Sequence, residues 1–373
     1  MKRLTLGDVC KKASSNIAQK DLQDKMGVYP IYGASGLIKQ VDFYQQDKEY
    51  IAVVKDGAGI GRTMLLPAYS SVIGTMQYLL PKEGIPIDIK YLFYAVEHMN
   101  LAKYFSGATI PHIYFKDYQK EPINIPDIDT QKRISRIFDK IDALISSRKE
   151  QRTKLDQIVK SRFIEMFGDP MTNPYNLPKV ILGSVLTIEP QNGLYKPQFD
   201  YVSDGTGVPI LRIDSFYEGK VSNLSSLKRL ICSEIELKRY SLYENDIVIN
   251  RVNSIEYLGK CGLIQGLVEN TVFESNMMRL HVDEHKFHPV YITKLLCSEF
   301  IYQQILRRAK KAVNQASINQ KDVQSFVVYM PPIEQQDQFA AFVKQTDKSK
   351  LAIQKSLEKL EILKKSLMQK YFG

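Results

Sequence analysis

The chain has 373 residues, 44% hydrophobic and 25% charged, the make-up of a folded protein, which excludes wholesale disorder. Fifty-one Lys and Arg face 41 Asp and Glu, a formal charge of +10 that makes a polyanion a natural partner. Cys10, Cys232, Cys261 and Cys297 lie far apart with no C-x-x-C pair, which excludes a disulfide framework and a cysteine zinc site and suits a reducing cytosol.

In chain order, residues 1–12 meet charge too early for the apolar core of an export signal. No run of about 18 uncharged apolar residues follows, so a cytoplasmic location without a membrane partner is expected. Residues 1–128 read as a first globular part with strands at 49–54, 71–74 and 77–80 and a helix over 89–104. Gly57-Ala-Gly-Ile-Gly61 is neither a Walker A loop nor a dinucleotide fingerprint, and reads as a tight turn between strands. A long helix is expected over 129–168 and a Pro- and Asn-rich connector over 169–178. Asn173-Pro-Tyr175 in that connector lacks the second Pro of an amino-methyltransferase box and any Gly-rich cofactor loop. A second globular part, 179–333, offers strands at 246–250 and 278–282 and a helix over 289–308, and a second long helix covers 334–373. His281, His285 and His288 have the short spacing of metal ligands, but without a matching Cys or acid in the other half they read as loop histidines. The fold class is therefore α/β (α+β), as globule, helix, globule, helix.

That order is a repeat. An offset of 205 places Asp117 on Asp322, Pro126 on Pro331, Gln131 on Gln336, Asp142 on Asp347, Lys160-Ser161 on Lys365-Ser366 and Phe167-Gly168 on Phe372-Gly373, without a gap. Leu4-Thr-Leu-Gly-Asp-Val9 echoes Val180-Ile-Leu-Gly-Ser-Val185 at a smaller offset, so the second globule carries about 29 extra residues. Apolar residues step by three and four along both helices, through Ile134, Ile141, Leu155 and Ile158 in the first and Ile353, Leu357, Leu360 and Leu367 in the second. Arg148 and Arg152 fall where the second helix has Ile353 and Leu357, so the stripes are complementary and suit pairing within one chain. At 1.5 Å per residue each helix is roughly 55 Å long.

Polar loops recur at matching places. Lys55 and Arg62 follow a strand in the first half, and Thr109, His112, Tyr114 and Lys116 occupy the later loop, with Tyr29 a further ring for sugar or base. The second half offers Arg212, then Asn250, Arg251 and Asn253 after a strand, then Arg307, Arg308, Lys310, Lys311, Asn314, Gln315, Ser317 and Asn319. Arg and Lys suit phosphates and guanine, Asn and Gln the adenine edge, so double-stranded DNA is the expected ligand. No Ser-His-Asp elbow or nuclease-like carboxylate pair stands out. Two other readings remain: a coiled-coil scaffold without DNA specificity, and a DNA-modifying enzyme acting alone.

With two globules, each opened by a Leu-Gly-Asp/Ser-Val element and closed by a repeated helix, the chain resembles the specificity subunit of type I restriction–modification enzymes over its whole length. Gly107-Ala-Thr-Ile-Pro-His-Ile113 and Asn314-Gln-Ala-Ser-Ile-Asn-Gln320 resemble the polar loop before that family's Pro-containing turn. The resemblance implies two target recognition domains, each reading half of a split DNA sequence, on an antiparallel intramolecular coiled coil that acts as a ruler. It implies a non-catalytic chain with no cofactor of its own. Two modification subunits would bring S-adenosylmethionine, and restriction subunits ATP and Mg. The charge then takes a narrower meaning. Residues 131–168 carry net +5 and residues 336–373 net +4, so the globules are nearly neutral and base reading must rest on local patches.

Overall fold

The computed structural model describes residues 2–107, 111–217, 219–221 and 224–373. The chain divides into two compact units, Met1–Gln151 with Ala352–Gly373, and Arg152–Leu351. Each long helix contributes residues to both.

In the first unit, Cys10–Ser14, Met76–Pro81, Tyr50–Val54 and Thr63–Leu66 form one antiparallel sheet in that order. The second unit repeats the order with Gln191–Asn192, Met277–Leu280, Ile247–Asn250 and Cys261–Leu263, then adds Gly219–Val221 and Phe216–Tyr217 at the far edge. A two-stranded ribbon of first and last strands closes each globule: Lys2–Thr5 on Pro122–Ile125, and Lys179–Ile181 on Val327–Tyr329. Two independent stretches of sequence thus build one topology. The central strands are buried on both faces, which is why they are unbroken apolar runs. Ile51 and Val53 face one cluster, while Tyr50, Ala52 and Val54 face another.

The expected turn at 57–61 joins Tyr50–Val54 to Thr63–Leu66, closed by the Gly61 amide on the Val54 carbonyl (2.8 Å). Gly61 has φ +77°, and a Cβ there would lie 2.3 Å from the Ala102 nitrogen, so both conformation and space require glycine. Two expected helices are each broken once. The one over 89–104 is Ile89–His98 and a 3₁₀ turn Leu101–Tyr104, because Asn100 between them takes φ 49°. The one over 289–308 is Pro289–Leu296 and Glu299–Arg308, because Ser298 is extended and starts a new helix.

The long helices are Ile128–Phe167 and Ile333–Phe372, 40 residues each. Gly168 ends the first at φ +75°, the left-handed C-terminal conformation. They run antiparallel in both units. Asp142 meets Lys364 at 2.9 Å in the first, and Asp156 meets Lys350 in the second. Each helix end is sealed into its globule by rings: Phe138 against Tyr94 (4.9 Å) and Phe372 (5.7 Å), and Phe163 stacked on Tyr291 (5.6 Å) and edge-on to Phe339 (5.5 Å). The seam departs from expectation at one named position. Ile134, Ile141 and Leu357 are buried and Leu155, Ile353, Leu360 and Leu367 half-buried, but Ile158 is 48% exposed and its neighbour Val159 fills the core. Leu144 and Leu363 are also exposed, because helices with a single helical neighbour bury only a narrow stripe.

Gln131 and Gln336, aligned by the repeat, are wholly buried and make the same three bonds. The Gln131 carbonyl oxygen accepts from the Asp88 amide (2.8 Å), and its NH₂ donates to the Pro86 and Pro126 carbonyls (3.0 and 2.8 Å). The Gln336 oxygen accepts from the His288 amide (2.9 Å), and its NH₂ donates to the Lys286 and Pro331 carbonyls (3.0 and 2.8 Å).

His288 caps Pro289–Leu296, its Nδ1 accepting from the Val290 amide at 3.1 Å. Burial holds its imidazole below the ordinary 6.5, although Asp337 and Glu284 pull the other way. Protonation would also abolish the acceptor. A depressed imidazole means that the unfolded chain binds the proton first, so its contribution is whole above pH 6.5 and is lost as pH falls through the folded value. His288→Asn, which keeps a capping oxygen, should flatten the acid side of the stability–pH curve. An unchanged curve in urea titrations from pH 5 to 8 would refute this.

Candidate nucleic-acid interface

In the second unit the central strand ends at Asn250, and the chain continues into Val252–Asn253, which pairs with one arm of a β-hairpin. The hairpin arms are Lys310–Lys311 and Ala316–Ser317, and the Ala312 amide closes the tip on the Gln315 carbonyl (2.7 Å). Lys310, Lys311, Asn314 and Gln315 are exposed on it and Arg307 is exposed at the end of the helix before it, while Asn253 and Ser317 lie half-buried along the shared pairing. The Ile318 amide on the Arg251 carbonyl (3.0 Å) ties its base to the strand end. No carboxylate occurs between 300 and 321, so the projection is uniformly basic and amide-bearing.

The first unit holds an equivalent at the same place. The Ile113 amide bonds the Lys55 carbonyl (3.0 Å), as Ile318 does with Arg251. Ser106 and His112 pair across the loop, and His112 also bridges to Asp56 through both backbone and imidazole. His112 packs on Tyr114 with ring centroids 4.0 Å apart, and the Lys116 ammonium lies 5.3 Å from the same ring. Tyr114 is 47% exposed, a flat face beside cations. Lys55 lies 3.7 Å from Asp56, and exposed Arg62 donates to the Ala34 carbonyl (2.9 Å). Tyr29 stands edge-on to Tyr44, which in turn meets Tyr69. Thr109 lies outside the described residues.

Several expected contact residues have other work. Asn250 is 1% exposed, its NH₂ donating to the Tyr257 carbonyl (3.3 Å), so it braces a loop inside the globule. The Arg308 guanidinium bonds Ser325 Oγ (2.8 Å) and the Gln304 carbonyl (3.0 Å) and covers the Phe326 ring, fastening its helix to the globule. Asn319 caps Gln320–Gln324, its side chain accepting from the Asp322 amide. Arg212, at the end of the strand Val208–Leu211, sits 3.6 Å from Glu274. Arg251 donates to the Ser275 carbonyl (3.1 Å). These five carry polar side chains of the right chemistry and each makes a contact inside the globule, although Arg212 Nε, Arg251 Nε and Asn250 Oδ1 are buried without a hydrogen-bond partner.

Two exposed groups escaped the sequence reading, Phe105 (63%) and Val313 (99%). Their only signal was an apolar residue isolated in a polar loop. Of the three spaced histidines, His281 hydrogen-bonds buried Asp246 (2.9 Å) and His288 is the cap described above. Burial raises the Asp246 carboxyl, offset by bonds from Tyr243 and His281 and by Arg279. Among the described residues, no three His, Cys, Asp or Glu side chains gather to hold a metal ion, and no helix is long and apolar enough to cross a membrane.

Two like globules thus place polar groups at the same point of one topology, a hairpin in the second and the Ser106–His112 pairing in the first, which is the arrangement of a duplicated recognition module. The sequence profile described as the type I restriction modification DNA specificity domain matches residues 1–157 and again 177–364, and the chain belongs to that family. It is 28% identical over 286 residues to the EcoKI type I restriction enzyme specificity subunit of Escherichia coli K12, covering 72% of this chain and 60% of that protein. The specificity subunit of the MjaVIII type I restriction enzyme from Methanocaldococcus jannaschii is 23% identical over 338 residues, covering 85% and 77%. The crystal structure of a type I restriction–modification S subunit from M. genitalium superposes with a TM-score of 0.63 at 14% identity, over 100% of this chain and 96% of that one, which shows the shared fold. The chain spans 60% of the length of the E. coli relative.

Proposed function

We propose that this chain is the DNA-specificity subunit of a type I restriction–modification enzyme. Each unit reads one half of a split duplex target, and the length of the long helices sets the unread spacer. The observation that supports this is a polar loop at the same point of one topology in both units of a chain of this family: a hairpin of cations and amides in the second, and the Ser106–His112 pairing with Tyr114 and Lys116 in the first. The protein is non-catalytic on this reading and works in the cytoplasm. It docks two modification subunits, with restriction subunits added to the assembly. S-adenosylmethionine, ATP and Mg belong to those partners, and the chain holds no cofactor itself.

The test is selection of bound duplexes from a random pool, by the chain alone and with modification subunits. A bipartite motif with steep salt dependence is expected. Exchanging residues 1–128 for the matching domain of a relative should rewrite one half of the motif and leave the other intact. Removing one heptad from each long helix should change the spacer only. Methyl transfer by the chain alone, or no sequence selection with partners present, would overturn the proposal.

A further inference from the structure

Val313 stands at the tip of the second unit's hairpin and is 99% exposed, the most exposed large hydrophobic side chain among the described residues. A single exposed valine on a protein surface is ordinary. This one has a particular setting. It follows exposed Lys310 and Lys311 and precedes exposed Asn314 and Gln315, on a two-stranded projection whose base is hydrogen-bonded to the end of the central strand. A ribbon of that width fits the major groove of B-form DNA, where phosphates flank the floor and base edges line it. The lysines suit the phosphates and the amides suit the adenine edge. The thymine C5-methyl supplies the apolar surface on that floor, and a rigid β-branched side chain fits it.

We propose that Val313 packs on the C5-methyl of a thymine in the half-site read by the second unit, making that position thymine-specific. The assignment rests on the DNA reading above and goes beyond it by naming the base and the chemical group. Asn314 and Gln315 beside it place an A·T pair at or next to the same step.

The experiment uses the full chain with its modification subunits and the duplex obtained by selection. Deoxyuridine, which lacks only the methyl, replaces each thymine of the two half-sites in turn. The unaltered protein should lose about fourfold in affinity at one position of one half-site, the worth of a single buried methyl group. Val313→Ala should bind the thymine duplex as weakly as the unaltered protein binds the deoxyuridine duplex, and should ignore the replacement there. Val313→Thr, which keeps one methyl, should recover part of the discrimination. Because the side chain makes no internal packing, these substitutions leave folding intact. Equal weakening by Val313→Ala on every sequence, or no sensitive thymine in a duplex that is bound selectively, would overturn this assignment while leaving the DNA reading standing. Failure of the unaltered complex to select any sequence would overturn both.

Discussion

Gln336→Leu is expected to destabilise the second unit by about 3 kcal/mol and to leave the first unit's transition unmoved. Leucine fills much the same volume, so the loss is not one of packing. It is the stranding of one amide and two carbonyls in a fully buried pocket, where unsatisfied groups cost about 1–3 kcal/mol each and part of that is recovered by relaxation. For a unit of this size the midpoint should fall by roughly 6–12 °C. Gln131→Leu should do the same to the first unit alone, since its three bonds match one for one. Calorimetry of each variant, with the two transitions assigned, checks the pair. A loss below about 1 kcal/mol in both would mean that the backbone groups find other partners, and the idea of a shared buried lock would fail.

Replacing Lys310 and Lys311 together by alanine is expected to weaken binding to every duplex, cognate or not, by roughly ten- to a hundredfold near 0.15 M salt. Both ammonium groups are exposed on the hairpin arms, and no neighbouring carboxylate in sequence competes for them. Leaving two phosphates without a cation should flatten the logarithmic salt dependence by about 2 units and leave the selected motif unchanged. Arg308→Ala is the contrast. Its guanidinium is already bonded to Ser325 and Gln304, so it should lower stability and leave the salt slope alone. If the lysine pair changes the motif and not the slope, the hairpin reads bases with its cations and the division of labour is wrong.

The architecture was legible because it was written twice. The ungapped offset from Asp117 to Gly168 needed no knowledge of conformation, and Pro126 and Pro331 marked where each long helix begins. Interruptions were less visible. Asn100 and Ser298 break helices whose apolar periodicity runs straight through, because one backbone dihedral decides the matter and periodicity does not sense it. Ile158 and Val159 were interchangeable as letters, and only the narrowness of the seam chose between them. The candidate contacts show the sharper limit. Residue type told which side chains could touch DNA, yet Asn250, Arg308 and Asn319 do what Asn and Arg do equally well inside proteins: brace loops, clamp helices and cap them. The repeat could have warned of one of these. Asn319 aligns with Tyr114, which starts its helix without a side-chain cap, so the two positions were never doing the same job.

The division of the long helices between units has a consequence for how the chain is made. The second unit is contiguous, Arg152–Leu351, and can close as soon as that stretch has left the ribosome. The first is not. Its core, which holds Leu6 and Val9, includes Met368 and is flanked by Leu367, Tyr371 and Phe372, which are translated after the whole of the second unit. The first unit therefore cannot complete its core until the second has been synthesised. While the second unit is being translated the first should keep an open apolar face, which residues 352–373 then cover.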